Sequence, residues 1–280
     1  MYLCHSNARA KILSKFVSLM KKLNILLILC LVIFQYVSYA AESFRFALFT
    51  DLHISTTNPI ASEDLKNAVN DVNSLSGIDF VIVSGDVSNL GDTTSLKDAK
   101  RMLKALKMPF YIVPGNHDFH WNIGNGAADF IRIFGDDKFV FVHKGFVFAG
   151  FSTVPLKKTG SGYIQSADIE WLKSTLQKQG NEKPSIIITH YPLLTGDVDN
   201  WKEMKDVLHE FNVITILNGH YHRKMLLNYD GIPGIVNRST LRAKEQVGGY
   251  SLYTVSDSIK VSEKRIGEPA MEWLALPLKF

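Results

Sequence analysis

Cysteine is nearly missing from this chain. Two occur in 280 residues, Cys4 and Cys30, and both lie in the first forty. A disulfide framework, or a thiolate-ligated zinc or iron–sulfur site, is therefore excluded from everything after residue 40. Long apolar runs are scarce too: Ile25–Phe34 is ten residues, whereas a spanning helix needs about 20. Excess charge of one sign is the third absence. The formal net charge of +4 belongs to the first forty residues, which hold Arg9, Lys11, Lys15, Lys21 and Lys22 and no acid. The remainder carries 26 basic against 27 acidic side chains, so charge offers no case for a nucleic-acid polymer or a membrane face as partner. Repeats, low-complexity tracts and linkers are also absent, which leaves one domain.

What the first forty residues do contain is the pattern of a leader. Lys21-Lys22 precede Leu23–Phe34, apolar except for Asn24, and Ser38-Tyr39-Ala40 puts small residues at −3 and −1 of a cleavage site. Those regions in that order describe a signal peptide over 1–40. The expected location is periplasmic or secreted, with no stable membrane span after cleavage; an uncleaved anchor is the alternative. Met20, directly before the lysines, is a better-placed start than Met1. The domain is expected over 41–280, and a chain of about 240 residues buries roughly 70–75% of its unfolded surface without disulfides.

Within that domain, apolar runs alternate with helical periodicity. Phe44–Thr50, Phe80–Ser84 and Phe110–Val113 read as buried strands, separated by helices expected over Ser62–Leu75, with Ser62 as N-cap, and Thr94–Leu106. Strands spaced by 10–15-residue helices imply βαβ units and a largely parallel sheet. Phe139–Val142 and Phe146–Ala149 flank His143-Lys144-Gly145 as a hairpin, followed by a helix over Ser166–Gln179 and a strand over Ser185–Thr189. A further helix is expected near Trp201–Phe211 and a strand over Val213–Leu217. From Met225 the short strands and Gly-Pro breaks suggest an antiparallel meander.

Chemistry-bearing residues follow the strands. Asp51 and His53 come after the first, Asp86 after the second, and Asn116, His117 and Asp118 after the third. His190 and then His220 and His222 follow two later ones. Open α/β sheets carry their sites at carboxyl strand ends. Asp51-x-His53 and His220-x-His222 would each put two ligands on one side of an extended segment. Oxygen and imidazole donors without thiolate suit Mn, Fe or Zn. Singly each fragment is commonplace, since an isolated strand-end histidine is more often a hydrogen-bonded structural residue. The ordered set is specific.

Asp51-Leu52-His53, Gly85-Asp86, Gly115-Asn116-His117-Asp118, Thr189-His190 and Gly219-His220-Tyr221-His222 together resemble the five motifs of the calcineurin-like metallophosphoesterases. In motif pattern the chain is most similar to the class III cyclic-nucleotide-phosphodiesterase-like branch. The resemblance implies an α/β fold of two mixed β-sheets packed as a sandwich and flanked by α-helices, the metallo-dependent phosphatase fold. It implies two divalent metal ions, one held by Asp51, His53 and His222, the other by Asn116, His190 and His220, with Asp86 bridging. A hydroxide shared by such ions would attack a phosphate ester in line, and His117 would protonate the leaving oxygen. Asp118 would brace the turn. The substrate would be a small phosphorylated molecule, either a phosphodiester or nucleotide, or a phosphomonoester metabolite. A non-catalytic member using the fold to bind is the remaining alternative.

One departure stands out. Where the protein Ser/Thr phosphatase branch has an Asp that pairs with the histidine acid, this chain has Asn89, so His117 must take its orientation from a carbonyl or from substrate. Other polar residues near the motifs have bland readings: His120 and Trp121 as loop packing, His143 and His209 as exposed or capping, Tyr191 and Tyr221 as pointing either way. Arg223 beside His222 is the best-placed phosphate clamp, and Asn237-Arg238-Ser239 could supply a loop near the site.

Overall fold

The computed structural model describes residues 15–17, 19–25, 42–119, 127–154 and 161–278. Met1–Ala41 forms a unit of its own. Its described residues are helical, while most of the expected apolar core and the cleavage site of the leader lie outside the described residues, as do His120 and Trp121.

The second unit, Glu42–Phe280, is built on two six-stranded sheets. In chain order its strands are β1 (Phe44–Phe49), β2 (Phe80–Ser84), β3 (Phe110–Val113), β4 (Phe139–His143), β5 (Phe146–Gly150) and β6 (Ser185–Ile188). They continue with β7 (Val213–Asn218), β8 (Met225–Tyr229), β9 (Ile232–Val236), β10 (Gly249–Val255), β11 (Ser258–Arg265) and β12 (Met271–Pro277). One sheet has the order β12-β11-β10-β1-β2-β3 and the other β4-β5-β6-β7-β9-β8. Both are mixed: β1, β2 and β3 are parallel, as are β5, β6, β7 and β9, while the remaining pairings are antiparallel. The helices are α1 (Pro59–Ser74), α2 (Thr93–Leu103), α3 (Ala128–Phe134), α4 (Ser166–Gln179) and α5 (Trp201–Leu208).

The uninterrupted apolar character of β1 and β2 follows from burial on both faces. Ala47, Phe49, Val81 and Val83 pack with Leu65, Val69 and Val72 of α1 and Leu96 and Leu103 of α2. The alternate residues meet the other sheet through aromatic rings. Phe46 stacks on Phe80 with centroids 5.1 Å apart and on Tyr253 at 4.6 Å. Phe148 of β5 meets Phe46 and Phe80 edge-on at 5.5 and 5.1 Å. On the far side of the second sheet, Val147, Ala149 and Ile187 pack with Leu172 and Leu176 of α4 and Met204 and Leu208 of α5.

The structure corrects several expectations. α1 starts at Pro59, three residues before Ser62, because Asn58 caps it by accepting from the Ile60 N–H and proline suits the first helical turn. α2 is capped by Asp92, whose side chain accepts from the Ser95 N–H, and α5 ends at Leu208. The tail is not one meander. β8 and β9 form a hairpin whose inner strand joins β7 in parallel, and β10–β12 return to the first sheet beside β1. His143 closes β4 half-buried, with its ring edge-on to Phe44 at 5.0 Å and Phe80 at 5.2 Å. Phe80 touches both sheets at once, so Phe80→Ala should lower the unfolding free energy by about 3–5 kcal/mol in urea titrations.

Candidate metal centre

The loops after β1 and β2 keep pairing beyond the strand ends. Asp51 N–H donates to Gly85 O at 3.0 Å, His53 N–H to Asp86 O at 2.9 Å and Ile54 N–H to Val87 O at 3.0 Å. This parallel run brings the first two motifs together at a fixed register. One link to the second sheet is Asp51 itself, whose two carboxylate oxygens each lie 3.2 Å from the His220 N–H.

Among the described residues two clusters of potential ligand atoms result, each with its atoms within 4.8 Å of one another: Asp51, His53, Asp86 and His222, and then Asp86, His190 and His220. Asp86 belongs to both. His53 Nε2 faces His222 Nε2 at 3.1 Å and Asp86 Oδ2 at 3.8 Å. His222 Nε2 lies 3.2 Å from Asp51 Oδ1, and His190 Nε2 lies 3.2 Å from Asp86 Oδ2. Asn116 opens a short 3-10 turn (Asn116–Asp118) that also carries His117 and Asp118.

Side chains meet here through strained backbone rather than strand alternation. Asp51, His53, Asp86, His220 and His222 all have positive φ, between 49° and 69°. The expectation that Asp51 and His53, or His220 and His222, share one side of an extended segment is therefore corrected. Left-handed residues turn the chain so that consecutive motif residues point at one place. Such conformations cost on the order of 1 kcal/mol or more each and persist only where surroundings over-determine them. Close approach adds to the constraint: a Cβ at Gly115 would collide with the Asp86 backbone and carboxylate, and one at Gly219 with the Thr50 hydroxyl.

The donor set fits divalent cations. His190 Nδ1 lies 2.8 Å from Ser84 O; a carbonyl only accepts, so that nitrogen carries the hydrogen. Its Nε2 is buried and has no hydrogen-bond partner among the described residues, although it faces Asp86. Two histidine nitrogens facing each other at 3.1 Å beside carboxylates likewise call for a shared electrophile.

Electrostatics separate the histidines. Burial lowers the pKa of His53 and outweighs the nearby Asp86 and Asp51, and burial pushes His220 down to about 4. His222 is raised, chiefly by its hydrogen bond to Asp51. Burial opposes charge on His190, but Asp86 and then Asp51 outweigh it and raise its pKa. Burial also opposes charge on Asp86, yet His190 and His53 hold its carboxyl below the ordinary range.

His117 completes the motif. Its Nδ1 lies 2.8 Å from Asn89 O and its ring is edge-on to His53 at 4.8 Å. Position 89 thus supplies its backbone carbonyl where a side-chain carboxylate was missed. The His117 N–H donates to Asp86 Oδ1 at 2.8 Å. Asp118 is fully buried and accepts from the N–H groups of Val87, Ser88 and Gly115 at 3.0, 2.7 and 2.9 Å, and from the Ser88 hydroxyl at 3.0 Å. Burial and Asp86 push its pKa up to about 6 against those donors. It ties the β2 and β3 loops together.

Some residues near the motifs resolve plainly. Tyr191 is buried with its ring 4.2 Å from that of His220, and Tyr221 donates its hydroxyl to Asp197. Arg223 is exposed and lies over the Tyr221 ring at 5.4 Å. His209 is the C-cap of α5. Arg238 is buried against Glu263 at 3.3 Å, and Asn237 bonds Asn218 and Tyr253. Thr50 escaped the sequence reading: its hydroxyl donates to Asp51 Oδ2 at 2.9 Å. A hydroxyl residue closing an apolar strand just before a ligand was the available signal.

The model of the family described as calcineurin-like phosphoesterase matches residues 44–224. The chain belongs to that family. Among this phosphoesterase's relatives, a protein named probable glycerophosphodiester phosphodiesterase GpdQ, from Arcobacter nitrofigilis, is 27% identical over 62% of this chain and 70% of its own. A probable cyclic nucleotide phosphodiesterase of Coxiella burnetii is 26% identical over 79% of this chain and 89% of its own. A solved dimetal phosphatase from Danio rerio superposes with a TM-score of 0.67 at 14% identity, covering 84% of this chain and 99% of that one. That likeness bears out the expected two-sheet metallophosphatase fold.

The Asp86–His190 pair sets a pH dependence for chelator-treated phosphoesterase. Because His190 is raised above its ordinary 6.5, its contribution to stability is full below pH 6.5 and is lost as pH climbs through the raised value. Asp86, depressed below 3.8, contributes above that value and is lost on acidification. The stability difference between wild type and His190→Gln in urea should shrink steadily from about pH 6.5 to about pH 10; a flat difference contradicts the pairing.

Proposed function

We propose that this phosphoesterase hydrolyses phosphodiesters at a dinuclear metal site. The observation that carries the reading is Asp86, one buried carboxylate common to both ligand clusters. In this reading Asp51, His53 and His222 would hold one divalent ion (Mn, Fe or Zn), Asn116, His190 and His220 would hold the other, and Asp86 would serve both. The chemistry such a pair supplies is activation of water near neutral pH and neutralisation of charge on the phosphoryl oxygens.

The chain's own residues orient and move protons. Ser84 O and Asn89 O fix the ring faces of His190 and His117 through their Nδ1–H groups. Protonated His117 then holds its second hydrogen on Nε2, which passes to the leaving oxygen as the phosphorus–oxygen bond breaks. Its Nδ1–H stays on Asn89 O throughout. The Asp86 oxygen that accepts the His117 N–H ties the acid's backbone to the carboxylate that both clusters share.

A diester is favoured over a monoester on charge. The loops at 50–56, 84–91, 114–119 and 189–192 contain no Lys or Arg, and Arg223 is the cation adjacent to a motif histidine. A monoester dianion would need more neutralisation than a diester monoanion. The names of the relatives agree with that preference. The leader pattern over 1–40 supports an exported enzyme.

Reconstituted protein should bind two ions per chain, read by elemental analysis, and hydrolyse bis-p-nitrophenyl phosphate faster than p-nitrophenyl phosphate; the reverse preference would favour a phosphomonoesterase acting on small metabolites. Asp86→Ala should lower the diester rate by at least about a thousandfold, and a rate equal to wild type overturns the enzyme reading. His117→Ala should cost about 100-fold or more on diesters with poor leaving groups and far less on nitrophenyl esters. Equal losses on both would remove His117 from the acid role.

A further inference from the structure

The family-matched stretch ends at residue 224, yet a segment beyond it lies directly beneath the site. After β9 the chain crosses from one sheet to the other through residues 237–242, and three of those six residues, Asn237, Thr240 and Leu241, hydrogen-bond the segments that lead into motifs. At its start, Asn237 donates its N–H to Asn218 O at 2.9 Å and its side-chain amide to the same oxygen at 2.9 Å. Its own amide oxygen accepts from the Tyr253 hydroxyl at 2.7 Å. Asn218 is the last residue of β7, two positions before His220.

In the middle, Thr240 clasps the end of β1 twice. Its N–H donates to Thr50 O at 2.7 Å, and its hydroxyl oxygen accepts from the Thr50 N–H at 3.2 Å. Leu241 N–H then donates to Asp51 O at 3.3 Å. Thr50 passes the constraint on, because its hydroxyl holds Asp51 Oδ2. Thr50 and Thr240 are both fully buried. At its far end, Arg242 grips Asp64 of α1 through its N–H at 2.8 Å and its guanidinium at 2.8 and 2.6 Å.

We infer that residues 237–242 are a strap that sets the position of Asp51 against the His220–His222 loop, with Thr240 as its positioning residue. The physical reason is geometric. Asp51 sits on the first sheet and His222 on the second, their ligand atoms lie 3.2 Å apart, and Asp51 has a left-handed backbone that needs external support. Ring packing elsewhere fixes the spacing of the sheets, and the His220 N–H reaches the Asp51 carboxylate directly, but neither fixes the backbone position from which that carboxylate is aimed. Hydrogen bonds from one segment to both strand ends do fix it. The strap therefore acts first on the cluster containing Asp51 and reaches the second cluster, Asp86, His190 and His220, less directly, through Asn218 and the His220 N–H that Asp51 accepts.

The inference rests on the dinuclear reading above, and its test separates the two. Chelator-stripped protein is titrated with Mn²⁺ and free ion is followed by electron paramagnetic resonance. Thr240→Val keeps the volume and the backbone bonds but removes the acceptor for the Thr50 N–H. It should weaken one of the two ions about tenfold and leave the other within about twofold, while Thr240→Ser restores wild-type binding. Val261→Ala, in the buried core of β11, serves as a control for general loss of stability. If Thr240→Val does not fold, Thr240→Ala is read against the same control. Wild-type affinity for both ions in the variant overturns the strap, as does weakening of both ions in step with Val261→Ala. A wild-type chain that binds no Mn²⁺ overturns the metal-site reading, and the strap with it.

Discussion

Everything in the site converges on the carboxylate of Asp86. One oxygen accepts the His117 N–H and the other faces His190 and His53, all within a pocket that shields it from water. A buried carboxylate is costly unless opposite charge or hydrogen-bond donors surround it. Here it has histidines on two sides and a backbone donor on a third, and both ligand clusters include it. The same feature makes the site suited to cations and shifts the imidazoles apart. His190 is drawn toward its charged form by Asp86, whereas His220, buried with less compensation, is held neutral.

That carboxylate is aimed by the architecture around it. The β1 and β2 loops stay in register for several residues past their strands, and Asp118 gathers four donors from the β2 and β3 loops. Five motif residues adopt left-handed backbone. Strain of that kind, concentrated where donors converge, is affordable because two sheets and a crossing segment hold the loops from several directions. The aromatic layer of Phe46, Phe80 and Phe148 fixes the distance between the sheets, and hence the distance between Asp51 and His222.

Much of the fold was legible from pattern. Apolar runs doubly buried between a helix layer and a second sheet read as uninterrupted strands, and they appear at Phe44, Phe80, Phe110, Phe146, Ser185 and Val213 as expected. α4 matches its expected bounds at both ends. The misses have local or long-range causes. Asn58 and Pro59 outcompete Ser62 as a helix start because capping and a preset φ act earlier in the chain. α3 is only seven residues long, too short to show a convincing period. The division of the tail between two sheets depends on which strand edge each segment meets, which no local signal records.

At the site, residue type and order after each strand were enough to single out Asp51, His53, Asp86, Asn116, His117, His190, His220 and His222, because few chemistries need carboxylate, amide and imidazole in that succession. The family resemblance also led to the expectation that Asp118 would brace the turn and that His117 would lack a carboxylate partner at position 89; Asp118 does accept four hydrogen bonds from the β2 and β3 loops. The tertiary structure alone decided what replaces that partner, since a backbone carbonyl such as Asn89 O exists at every position and leaves no trace in residue identity. It alone showed that Asp51 and His53 converge through left-handed backbone, and that Thr50 and Thr240, 190 residues apart, meet under the site. Strand order and backbone handedness arise from contacts between distant segments, and such contacts are made only when the chain has folded.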